Sequence, residues 1–141
     1  MISEFKNKYF FLSNYYNSPI ILKGKIVPTV EHYFHACKTF DEAEQNKIIA
    51  AATPGEAKRL GRRCTLRPDW EMVKDTIMEE ALRQKFENSK LKRLLLSTGD
   101  EELVEGNWWN DTYWGVCDGV GQNKLGKLLM KLREEYKNEA L

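Results

Sequence analysis

No charge of one sign dominates this sequence. Lysine and arginine together number 22, against 21 aspartates and glutamates. Such a balance argues against a protein that coats nucleic acid by charge alone, although a local basic patch stays open. Cysteines are few: Cys37, Cys64 and Cys117 are odd in number and widely spaced. No pair has the spacing of zinc ligands, which argues against a metal site or a disulfide frame and fits reduced, buried thiols. Histidine is scarcer still; His32 and His35 stand three apart with no third ligand in view. No metal and no cofactor is therefore expected. No apolar run approaches membrane-spanning length. The opening MISEFKNKYF lacks the basic-then-apolar order of a signal peptide, so a cytoplasmic protein without membrane contact is expected. Linkers, repeats and low-complexity tracts are missing too.

What is present suits a globular core. The 141 residues are 42% hydrophobic and 30% charged, ordinary values for a chain near the commonest domain size. PIILKGKIVP predicts two short strands joined at Lys23–Gly24. In PTVEHYFHACKTF, Val30, Tyr33, Phe34, Cys37 and Phe40 recur at steps of three and four, one face of a helix begun by the N-cap Thr29. A second helix is expected over 42–52. Thr53, Pro54 and Glu56 carry the marks of an N-cap, a first-turn proline and a capping box. A long helix follows Pro68–Asp69, with Trp70, Val73, Ile77, Ala81 and Leu82 as its buried stripe. KLKRLLLS gives another helix, ELVEGN a short strand, and 124–137 a last helix. The class is α+β: a mainly helical single domain, residues 1–141, with a small β-sheet.

Five features bear on chemistry. Glu31 falls in the first turn of its helix, off the apolar stripe, where a carboxylate also simply complements the helix dipole at the surface. His32 and His35 read most simply as surface or half-buried polar groups. Lys58, Arg59, Arg62, Arg63 and Arg67 cluster in AKRLGRRCTLR, either as a solvated helix end or as a phosphate site, since guanidinium forks fit pairs of oxygens. The segment 107–123 holds Trp108, Trp109 and Trp114 with Asp111 and Asp118. Its indoles offer flat faces for a planar ring, or pin the loop to the core. GVGQNKLGK could bring backbone N–H groups to a phosphate at the start of the last helix. Glu31, Glu105 and Asp111 are the candidate acids for breaking a glycosidic bond through an oxocarbenium-like transition state.

FLSNYY, PTVEHYFHACK, TPGEAKRLGR, DWEMVKDTIMEEALRQKF, LLLSTGDEELVE, DTYWG and GQNKLGKLLMKLR occur in that order. Together they resemble the NADAR (YbiA-like) family from about Phe10 to Arg133. The resemblance implies a compact, mainly helical α+β domain and an N-glycosidase acting on nucleotide sugars. Its substrate would be a phosphoribosylamine-type intermediate of riboflavin synthesis or ADP-ribosyl-guanine, possible partners being a small nucleotide sugar or ADP-ribosylated nucleic acid. A non-catalytic ADP-ribose-binding module is the alternative. Carried over, the resemblance makes Glu31 the leading catalytic residue and Asp111 the second. It assigns Asn14, Arg59, Arg62, Trp70, Trp114, Gly121 and Asn123 to substrate binding. His35 and Cys37 stand where the family often has glutamines, and GNWWN is longer and more aromatic than expected.

Overall fold

A computed structural model describes residues 1–139. The hairpin forms where the sequence predicts it: β1 (Ile20–Leu22) pairs antiparallel with β2 (Lys25–Val27), Ile20 opposite Val27. Lys23 and Gly24 turn the chain with φ of 51° and 78°, a left-handed pair that suits the right-handed twist of the strands and that glycine adopts freely. Six α-helices follow among the described residues: α1 (Val30–Ala36), α2 (Glu42–Ile49), α3 (Pro54–Gly61), α4 (Trp70–Lys85), α5 (Ser89–Ser97) and α6 (Lys124–Glu139). A 3₁₀ helix, Asn7–Leu12, precedes the hairpin. The fold is α+β and mainly helical, with one two-stranded sheet among the described residues.

The caps explain where helices start. Thr29, Asp41 and Thr53 accept from the backbone N–H three residues on, and Asn88 caps α5. Each such cap contributes about 1 kcal/mol. Three expectations need correcting. Glu56 does not close a capping box but turns to Arg59, whose Nε donates to it at 2.9 Å. ELVEGN forms no strand; Leu103 and Gly106 make single bridges to Ile2 and Val116. And α1 stops at Ala36, so Phe40 leaves the apolar stripe and is 63% exposed, with the Arg67 guanidinium 4.4 Å from its ring centre.

The chain forms two compact units. One, residues 14–85, holds the hairpin and α1–α4. There α1 is the central element: it contacts α2, α3, α4 and both strands, and all seven of its residues are buried. Ala36, Ile48 and Ala57 form a core cluster with Leu22, Leu60 and Cys64 packed against it. The other unit comprises residues 1–13 with those from 86 onward. Ile2 there exchanges backbone bonds with Glu102 and Val104 at 2.8 and 2.9 Å. In it α5 packs on α6, and Leu91, Leu95, Leu129 and Leu132 are at most 3% exposed, each burial worth roughly 1.5–3 kcal/mol.

Candidate active site

A helix enclosed on every side has no solvent face, so its polar residues must be satisfied internally. That constraint governs Glu31, His32 and His35. None is at the surface: they are 9%, 1% and 4% exposed, which corrects the surface reading of all three. His32 is structural. Its Nε2 lies 3.0 Å from the Ala51 carbonyl oxygen, and a carbonyl only accepts, so Nε2 carries the proton. Nδ1 then accepts from the Thr29 hydroxyl at 2.8 Å, while Thr29 Oγ1 accepts the His32 N–H. This chain of bonds ties the start of α1 to the end of α2.

His35 serves Glu31 instead. Its Nε2 donates to Glu31 Oε2 at 3.0 Å, one helical turn away. His35 Nδ1 is buried without a hydrogen-bond partner. Burial, the largest influence, pulls the imidazole below its ordinary pKa against the attraction of Glu31, so the ring is neutral at pH 7. A Cβ on Gly61 of α3 would lie 2.5 Å from Nδ1; the glycine makes room for the ring. The Glu31 N–H donates to the Asn14 carbonyl at 3.1 Å. The Asn14 amide points to Met78 Sδ at 3.6 Å, leaving its buried Oδ1 without a partner.

Cations lie beyond this acid. Lys38, seven residues beyond Glu31, lies 5.8 and 5.9 Å from the ring centres of Phe34 and Trp70. Those two rings meet edge to face at 4.9 Å. Burial lowers the Lys38 pKa, Glu31 raises it, and the charges of Arg62 and Lys58 lower it again. Glu31, Lys38, Lys58 and Arg62 therefore form one electrostatic neighbourhood with Trp70 at its edge. Sequence reasoning missed Lys38, which lies two residues past the end of α1. Two other arginines of the cluster are engaged elsewhere. Arg59 pairs with Glu56. Arg67 forks onto Asp69 at 2.6 and 2.9 Å, and its backbone N–H reaches the Lys38 carbonyl. Burial raises the thiols of Cys37, to about 11, and of Cys64. Both stay protonated and are poor nucleophiles.

The remaining expected residues belong to the other unit. Asp111 Oδ1 accepts from the N–H groups of Tyr113 and Trp114 at 3.1 and 2.9 Å. Asn107 clamps the same turn through the Asp111 N–H and carbonyl. Trp114 meets Tyr113 edge to face at 4.9 Å. Asn123 is 8% exposed; its amide donates to the Leu103 carbonyl at 2.9 Å and accepts from the Glu105 N–H at 3.0 Å. Gly121 presses on the Gly115 carbonyl, which a Cβ would approach to 2.1 Å. The N–H groups of Gln122 to Leu125 already donate to the carbonyls of Thr112 to Gly115. The amides expected to hold a phosphate at the start of α6 are thus occupied by the loop. Trp108 and Trp109 are 79% and 42% exposed. Among the described residues no cluster of acids, histidines or cysteines is arranged to hold a metal ion.

Glu31 is thus a buried acid hydrogen-bonded to a histidine that burial keeps neutral. Comparison with known proteins identifies the family. The NADAR domain family matches residues 2–137, spanning both units. The chain is 46% identical over 127 residues to the N-glycosidase YbiA of Escherichia coli K12, covering 87% of this chain and 79% of that one. The NMR structure of E. coli YbiA superposes with a TM-score of 0.86 at 43% identity, over 99% of this chain and 87% of that one. An N-glycosidase of Nostoc punctiforme is 45% identical over 133 residues, 89% of this chain and 85% of the relative. A riboflavin biosynthesis protein of Vibrio vulnificus is 39% identical over 134 residues, 92% of this chain but 36% of that longer protein. The chain belongs to the NADAR family.

Proposed function

We propose that this N-glycosidase hydrolyses the bond between the anomeric carbon of a phosphorylated ribose and a nitrogenous group, with Glu31 as the acid at the sugar. The observation that carries the proposal is the buried Glu31 carboxylate, held by His35 and sharing an electrostatic neighbourhood with Lys38, on which Lys58 and Arg62 also act. The cations suit the phosphate or pyrophosphate of the substrate, and the lone acid suits the positive charge that grows on the ribose as the bond opens. In that step the C–N electron pair leaves with the nitrogen, which takes up a proton. Water then adds to the anomeric carbon and gives up its own proton. Glu31 stabilises the cation or orients the water. Trp70 borders the base, Asn14 serves a sugar hydroxyl through its unpartnered Oδ1, and Arg62 with Lys38 neutralises phosphate charge. Asp111, which spends one oxygen on its own turn, is the second choice of acid.

Two substrates fit this chemistry: a phosphoribosylamine-type intermediate of riboflavin synthesis, in line with the name of the Vibrio relative, and ADP-ribosyl-guanine, free or in nucleic acid. A cytoplasmic location accords with three free cysteines. No helix among the described residues is long and apolar enough to cross a membrane. Incubating the protein with a ribosylamino-pyrimidine phosphate and, separately, with ADP-ribosyl-guanosine, then detecting freed base and sugar by mass, tests the proposal. Release from either is expected; tight binding to both without release would mark a non-catalytic reader.

A further inference from the structure

His35 has no part in the chemistry written above, yet its placement is specific. Its Nε2–H is donated to Glu31 Oε2 at 3.0 Å, both side chains being buried. Its ring meets Phe34 edge to face at 5.4 Å and abuts Gly61 of α3, where an added Cβ would come within 2.5–2.9 Å of Nδ1, Cγ and Cβ. The ring is packed close against α3 at this glycine, where there is no room for a side chain. Resting on the reading of Glu31 as the acid at the ribose, we propose that His35 is a positioning residue. Its Nε2–H tautomer holds the Glu31 carboxylate in working orientation, and protonation of the ring lowers turnover.

The physical reason lies at Nδ1, which has no hydrogen-bond partner. A second proton there would point a new N–H at α3 with nothing to accept it, a costly state in the interior. The charged groups acting on the ring are Glu31 from its own helix, Lys38 just beyond the end of that helix, and Lys58 from α3. Glu31 favours protonation and both lysines oppose it. Once formed, an imidazolium 3.0 Å from Glu31 would offset the negative charge meant for the ribosyl cation. Turnover therefore falls with pH, at values below the ordinary 6.5 of histidine because burial holds the ring neutral.

The test uses the full chain as wild type, H35Q, H35L and E31Q. The substrate is ADP-ribosyl-guanosine or the ribosylamino-pyrimidine phosphate, whichever the wild type cleaves. Loss of the anchor in H35L is expected to lower kcat about a hundredfold with little change in KM, as a misplacement of about 1 Å does. The side-chain amide introduced in H35Q can donate to Oε2, so that variant should regain most of the loss and lack the wild-type acid limb. Independently of any substrate, ¹⁵N NMR of histidine-labelled protein should show His35 protonated at Nε2 and bare at Nδ1 at neutral pH. An Nδ1–H tautomer, an H35L variant with wild-type kcat, or an identical acid limb in H35Q would each overturn the proposal. Should H35L fail to fold, H35Q and the NMR signature decide it. Wild-type turnover by E31Q would instead defeat the reading of Glu31 on which it rests.

Discussion

Replacing Gly61 by alanine adds one methyl group, and the site geometry says where it goes. An ideal Cβ at this position lies 2.5 Å from His35 Nδ1, 2.8 Å from Cγ and 2.9 Å from Cβ. Comfortable contacts are about 3.5 Å or more. The imidazole must retreat by about 1 Å, and because its own Cβ is among the crowded atoms, α1 backbone has to follow. A retreat of that size stretches the 3.0 Å bond to Glu31 past the range of a hydrogen bond. Overpacking of this kind costs roughly 1–3 kcal/mol, and a charge-assisted bond contributes about 1.5–3 kcal/mol. Against these stands a gain of about 1 kcal/mol for alanine over glycine within a helix. The net expectation is a loss of about 1.5–5 kcal/mol, or roughly 5–20 °C in Tm for a chain of this size. Thermal unfolding followed by circular dichroism measures it. The double variant G61A/H35A should recover stability relative to G61A alone, since removing the ring empties the space the methyl needs. A Tm that rises in G61A, the ordinary result of replacing glycine in a helix, would refute the packing of His35 on α3.

Two further expectations test the scaffold. N123A leaves the Leu103 carbonyl and the Glu105 N–H without their buried partner, at about 1–3 kcal/mol for each group left unsatisfied; urea unfolding should show a lower midpoint at unchanged m-value. Lys85 is 1% exposed, its Nζ lies 5.6 Å from the Tyr16 ring centre, and burial lowers its pKa from 10.5 to about 7. Between those values the unfolded chain binds the proton more firmly than the folded one, so this group makes stability rise with pH, by roughly 2 kcal/mol from about pH 7 to pH 9. Urea titrations across that range should show the rise in wild type and its absence in K85M; parallel curves would contradict it.

Local chemistry was readable where it is self-contained. The caps at Thr29 and Thr53, and the turn at Lys23–Gly24, are written in three or four adjacent residues, and those elements start where the sequence places them. The environment of Glu31 was not readable, because periodicity sorts residues into a buried stripe and a wet face. In α1, three other helices and a hairpin remove the wet face altogether. Burying Glu31 then required a partner, and His35 at i+4 supplies it. The arginine cluster was legible as a cluster but not in its division. Glu56 and Asp69, three and two residues from Arg59 and Arg67, claim those two guanidiniums, while Arg62 acts on Lys38. Asn123 shows the reverse limit. Its position in a family motif says that it matters, and only the fold shows its amide joined to the backbone of residues 103 and 105.

The charge of Glu31 is held to promote departure of nitrogen from ribose, and single-turnover kinetics of E31Q test this most directly. Glutamine keeps the shape and still accepts the His35 N–H, but carries no charge. Substrate binding is expected within a few-fold of wild type, with a chemical step slower by at least about a hundredfold. An E31Q protein that frees base from sugar at the wild-type rate would contradict it.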